Sequence, residues 1–145
     1  MNYGPKMNAV SAVGQSMIKV IGRVTTSTSG TISTSDIRGG ACTIAKTGGK
    51  TGRYTITMVA GTDFAITDLV FLGLSAQIIG PDDAALTASK GTIPITRDID
   101  IGEGADDGTV ELQWTVATAT AQADTEVQDA AGFTFELTLG NKRVG

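Results

Sequence analysis

The chain has 145 residues, enough for a single domain with a real core, and carries a formal net charge of −4. It contains no histidine and one cysteine, Cys42. That excludes Ser-His-Asp and Cys-His nucleophilic sets, histidine-ligated metals, an intrachain disulfide and a cysteine zinc site. An acidic total also argues against nucleic acid as a partner.

Composition points to strands. There are 22 threonines and 19 glycines but only 3 prolines. Threonine is β-branched and suits a half-buried pleated surface, and glycine supplies tight turns. Residues 1–60 hold seven Lys/Arg and one acid, and residues 61–145 hold four basic and fourteen acidic residues. Either the fold mixes the two halves, or it presents a positive and a negative face to charged neighbours.

Residues 1–15 have no clean period and read as an extended N-terminal arm, with Tyr3, Lys6 and Met7 as contact candidates. The N-terminus lacks a basic region followed by an apolar run, so the reading is a chain made without export, in the cytoplasm. Residues 16–25, SMIKVIGRVT, are strand-like, with Gly22 as a candidate bulge and Lys19 and Arg23 as candidate contacts. Residues 26–40 read as a Thr/Ser/Gly loop that holds a weak strand at 30–34.

Residues 41–46 and 53–60 are strands. In the second, Tyr54, Ile56 and Met58 alternate with Thr55, Thr57 and Val59. The intervening TGGKTG tests a nucleotide-binding reading. A phosphate loop of the form G-x-x-x-x-G-K-[ST], counted back from Gly49, needs glycine at 44, where Ile44 stands. It should also open a helix, whose N-terminus helps hold the phosphate. Here it opens a Thr-rich strand, so the prediction is a turn between strands.

Residues 68–79, DLVFLGLSAQII, are apolar on both faces. They predict a strand buried between layers, or one bent at Gly73. The run to Gly80 is too short to cross a bilayer as a helix, and no membrane partner is expected. Residues 80–91 read as loop. Residues 92–101, TIPITRDIDI, alternate isoleucine with polar positions, and Pro94 marks an edge strand. After an acidic turn at 102–108, Val110, Leu112, Trp114 and Val116 face one way and Glu111, Gln113, Thr115 and Ala117 the other. Residues 121–131 read as polar loop or short strand. Phe133, Phe135, Leu137 and Leu139 then share one face, and the chain ends with Lys142 and Arg143 as further contact candidates.

Short strands with one apolar face and no clear helix describe an all-β fold. The expected architecture is an antiparallel β-sandwich, jelly-roll-like, over 16–145, with the arm at 1–15. No constellation carries chemistry. Asp98, Asp100, Glu103, Asp106, Asp107 and Glu111 form an acidic run, and Asp98-x-Asp100 begins like a calcium loop. The loop pattern then fails: Glu103 stands at its glycine position and Thr109 at its final glutamate position. The run reads as a solvated hairpin. Paired carboxylates can also run a glycosidase, but Tyr54, Trp114, Phe133 and Phe135 fall in core registers and leave few aromatics for a substrate cleft. Cys42 reads as a small buried hydrophobe. The expectation is a non-enzyme with no cofactor, no bound metal and no small-molecule substrate.

Two stretches resemble small virion proteins of tailed bacteriophages. One is ACTIAKTGGKTGRYTITM, an apolar strand, a Gly-rich turn and then G-x-Y-T-I-T. The other is the ending GFTFELTLGNKRV, an alternating terminal strand with a basic tail. The resemblance implies a capsid cement or decoration protein on the virion surface. Such a protein binds the outer face of the head as a homodimer or homotrimer and stabilises contacts between major capsid proteins. The alternative it leaves open is another virion module: a head fibre, tail or host-binding component.

Overall fold

The computed structural model describes residues 17–40, 42–59, 65–81, 84–101, 108–118 and 120–141. The expected arm at 1–15 lies outside them. Nine strands run in chain order: β1 (Met17–Thr26), β2 (Ile32–Arg38), β3 (Cys42–Lys46), β4 (Arg53–Met58), β5 (Leu69–Ile79), β6 (Ile93–Asp100), β7 (Thr109–Ala117), β8 (Gln122–Asp124) and β9 (Gly132–Asn141). The described residues contain no α-helix, only two single 3-10 turns, Thr28–Gly30 and Ile66–Asp68.

The strands form two antiparallel sheets packed face to face. The first has the order β2-β1-β9-β5 and the second β3-β4-β7-β6, with β8 extending the second alongside the end of β7. The β-sandwich read from the sequence is therefore the fold. The first and last described strands pair along their length, from Met17 opposite Gly140 to Thr25 opposite Gly132. The β4–β7 pair nests inside that closure in the opposite sheet, which is the jelly-roll-like feature of the topology.

Alternation places the core. Tyr54, Ile56 and Met58 of β4 point inward, as do Val110, Leu112 and Trp114 of β7. Phe133, Phe135, Leu137 and Leu139 of β9 face them from the first sheet. Each such side chain contributes about 1.5–3 kcal/mol on full burial. Phe133 meets two rings of the opposite sheet, Tyr54 at a centroid distance of 5.0 Å and Trp114 at 5.4 Å, both tilted. Tilted pairs add about 0.5–1.5 kcal/mol beyond area burial.

Three local expectations are corrected. Residues 32–38 form a full seven-residue strand rather than a weak one at 30–34, because β1 offers them a partner from Ile21 to Thr26. The strand at 69–79 is not sandwiched between layers. Among the described residues it is an edge strand paired only with β9, and Leu72 is 55% exposed at a bulge between Phe71 and Gly73. The bend expected at Gly73 is that bulge. Gly22 is not a bulge and keeps regular register with Ile37 and Phe135. It is glycine because the Phe135 ring lies in the space of its side chain: a Cβ there would stand 2.2 Å from Phe135 Cε1.

Gly22→Ala is therefore expected to cost about 1–3 kcal/mol through overpacking. Urea unfolding measures it, and the double variant Gly22→Ala/Phe135→Leu should recover part of the loss. Equal costs in the presence and absence of the ring would disprove the contact.

Candidate functional site

The TGGKTG stretch is a hairpin turn between β3 and β4. The Thr47 amide donates to the Arg53 carbonyl at 2.8 Å, and Gly49 and Gly52 take positive φ values of 68° and 62°. An open pocket of about 360 Å³ lies here, lined by Lys46, Gly48, Gly49, Lys50 and Glu126. Its chemistry does not suit phosphate. Lys46 is already engaged, with its Nζ 2.7 Å from Glu126 Oε1 and donating to the Ser29 carbonyl. Glu126 also places a carboxylate at the mouth, which repels an anion. The cluster closes one end of the core instead. Tyr54 donates its hydroxyl to the Gly30 carbonyl at 2.5 Å, and burial together with the Glu126 charge pushes its phenol pKa upward.

The acidic run is divided by the fold. Asp98, Asp100 and Glu111 lie on the β6–β7 hairpin, whereas Glu103, Asp106 and Asp107 lie outside the described residues. Arg53 Nη1 is 3.1 Å from Glu111 Oε2 and 3.2 Å from Asp98 Oδ2. A bulge between Arg97 and Asp100, with Asp98 at φ 43°, accompanies that second contact. Arg53 Nε also donates to Gln113 Oε1 at 3.0 Å, and Gln113 Nε2 donates to the Thr51 and Trp114 carbonyls at 2.8 Å each. Gln113 is fully buried on what alternation marks as the outward face of β7. Among the described residues, no group of three or more His, Cys, Asp or Glu could hold a metal ion. Of the described acids of the run, Asp98 and Glu111 are partners of Arg53.

The charge asymmetry of the sequence is cancelled in the same way. Lys19 pairs with Glu136 at 2.9 Å, Lys46 with Glu126 and Arg53 with Glu111, each a base of the first half meeting an acid of the second. Folding mixes the halves.

The remaining candidate surface is the outward face of the first sheet. β1 presents Met17, Lys19, Ile21 and Arg23 there, β9 presents Thr134, Glu136 and Thr138, and β5 presents Ser75 and Gln77. Met17 is 47% and Ile21 49% exposed, and the bulged Leu72 lies on the same side beside Gly140. A shallow depression of about 310 Å³ is lined by Ile21, Ser75, Gln77, Thr134 and Glu136. The sequence-predicted contacts Lys19 and Arg23 thus share one face, about 13 Å apart along the strand at the usual rise. Arg23 makes no ion pair among the described residues. Tyr3, Lys6, Met7, Lys142 and Arg143 lie outside the described residues. The part β5 plays at this face was missed in the sequence, although its long uncharged run was visible there.

No family model matches the chain, and neither the curated proteins nor the solved structures give a match.

Cys42 is half-buried on β3, packed against the core opposite Met58, and burial pushes its thiol up to about 11 from 9.0. The raised value favours the neutral thiol in the fold. Its contribution to stability is fully present below pH 9 and is lost as pH rises towards 11. At pH 8, alkylation should run about a hundredfold slower than in the unfolded chain, in line with the thiolate fraction. Iodoacetamide labelling with and without denaturant checks this, and equal rates would refute the burial effect.

Proposed function

We propose that this chain is a structural virion protein that binds the outer face of a tailed-phage capsid and stabilises contacts between major capsid proteins. The observation that carries the reading is the outward face of the first sheet. It is a four-stranded surface on which exposed Met17, Ile21 and Leu72 are interspersed with Lys19, Arg23 and Glu136. Exposed apolar side chains grouped on one face mark protein contact surfaces. The surrounding charges fix orientation and partner choice more than affinity.

The resemblance of the hairpin around TGGKTG and of the terminal strand to phage virion proteins supplies the capsid as partner. A capsid repeats its surface many times, so modest contacts made by each copy add through multivalency. The chain's role in this reading is mechanical: it spans neighbouring subunits and opposes their separation under internal pressure. It requires neither turnover nor a ligand.

The test uses purified particles of the phage that encodes the chain. The protein should be found on the head exterior, and particles lacking it should release DNA at a lower temperature until purified protein is added back. Arg23→Glu, at an exposed position with no ion pair to lose among the described residues, should weaken rebinding to such particles by about tenfold with little change in Tm. Absence of the chain from particles, or its location on the tail, would overturn the reading.

A further inference from the structure

Apart from the three-residue β8, the two open sheets have four edge strands among the described residues, β2, β5, β3 and β6. An edge exposes unpaired backbone groups and is a template for another strand, so folded proteins usually blunt their edges with charges, proline or bulges. Three of these edges follow that rule. β2 carries Asp36 and Arg38, paired at 2.7 Å, β3 ends in Lys46, and β6 holds Pro94, Arg97, Asp98 and Asp100. β5 does not follow it. Over eleven residues, LVFLGLSAQII, it has no charge and no proline. Its single bulge falls at Phe71/Gly73, and from Gly73 to Ile79 it runs in unbroken register with β9.

We infer that β5 is a self-association edge: the Gly73–Ile79 segment pairs antiparallel with the same segment of a second copy, making an eight-stranded sheet across a two-fold axis. A two-fold interface must be self-complementary, with each residue meeting its mate's partner. This segment meets that condition when centred on Ala76. Ser75 then lies opposite the second copy's Gln77, and Gln77 opposite its Ser75, so hydroxyl and amide can hydrogen-bond twice on the outward face. Leu74 and Ile78 meet in the same reciprocal way on the core side, where both pack against the core of their own copy. No like charges are brought together. The alternative occupant, a strand from an unrelated protein, would not need this symmetry. The inference rests on the edge itself and not on the capsid reading, so either can fail alone.

The test is the solution mass of the full chain by light scattering across a concentration series. The wild type should scatter at twice its 14.8 kDa mass. Ser75→Lys/Gln77→Lys places lysines against lysines across the axis and should weaken association by about a hundredfold or more. Ser75→Glu/Gln77→Glu should do the same, and an equimolar mixture of the two variants should restore the dimer. Circular dichroism checks that each remains folded. Should either variant unfold, wild-type hydrogen exchange decides: the Gly73–Ile79 amides should exchange about tenfold more slowly in the dimer than on dilution. A wild-type monomer at every concentration, a trimer, charged variants that stay dimeric, or exchange independent of concentration would each overturn the inference.

Discussion

The contact of Phe133 with Tyr54 and Trp114 holds the two sheets together, and much of the molecule is arranged around it. Phe133 comes from the first sheet, and the two rings it meets come from neighbouring strands of the second. The three residues are far apart in sequence, so their meeting requires β9 to be threaded between β1 and β5 while β4 and β7 pair opposite. Loop closure of this length is entropically costly before it is rewarded. The reward is a set of fully buried aromatic side chains, the largest in the core. Gly22 belongs to the same arrangement: it leaves room for Phe135, two residues along the strand from Phe133.

Polar groups close the core at its margins. Tyr54 is an aromatic wall of the core, and its hydroxyl reaches the Gly30 carbonyl at the boundary where Lys46 and Glu126 pair. On the far side of the second sheet, Gln113 uses its carbonyl and amide groups in three bonds, to Arg53, Thr51 and Trp114. A buried amide without these bonds would cost about 1–3 kcal/mol. Two buried atoms, Trp114 Nε1 and Glu126 Oε2, have no such partner among the described residues. Both belong to residues that the core or its closing cluster holds for other reasons: the indole packs on Phe133, and the other Glu126 oxygen binds Lys46.

The sequence showed the parts of this fold that depend on strict alternation. β4, β7 and β9 each place large apolar side chains at every second position, and that pattern orients a strand without knowledge of its neighbours. The turn at TGGKTG was equally legible, because Ile44 and the following strand break the phosphate-loop pattern locally. What escaped was set by tertiary neighbours. ISTSDIR has little hydrophobic signal, and it becomes a strand because β1 has a free side for it. LVFLGLSAQII has so much that it looks interior, yet topology leaves it at an edge. Gln113 looks like a solvent-facing residue in a good alternation, but Arg53 and the Thr51 carbonyl enclose it. Of the candidate contacts, Lys19 and Arg23 could be placed on one face because the period of two puts positions four apart on the same side. Nothing in the sequence alone revealed that Lys19 meets Glu136 there and that Arg23 has no such partner among the described residues.

The two outward faces differ in how their polar groups are used. On the second sheet, Arg53 ties Glu111, Asp98 and Gln113 into one network, and Thr115 is buried with its hydroxyl bonded to the Ile93 carbonyl. Binding a partner there would first require removing bonds that the monomer already makes. On the first sheet, the Lys19–Glu136 pair is exposed, and exposed pairs contribute only about 0–1 kcal/mol, so exchanging it for a partner's charge costs little. Ile21 and Met17 flank that pair, with apolar surface still open to water. Burial of that surface gains free energy, whereas disruption of the Arg53 network loses it. The same difference in cost separates the edges: β6 would have to set aside Pro94 and its charges to accept a strand, and β5 has nothing to set aside. Among the described residues, then, a partner of the proposed kind would set aside fewer existing bonds at the first sheet and its β5 edge than at the second sheet's outward face or β6.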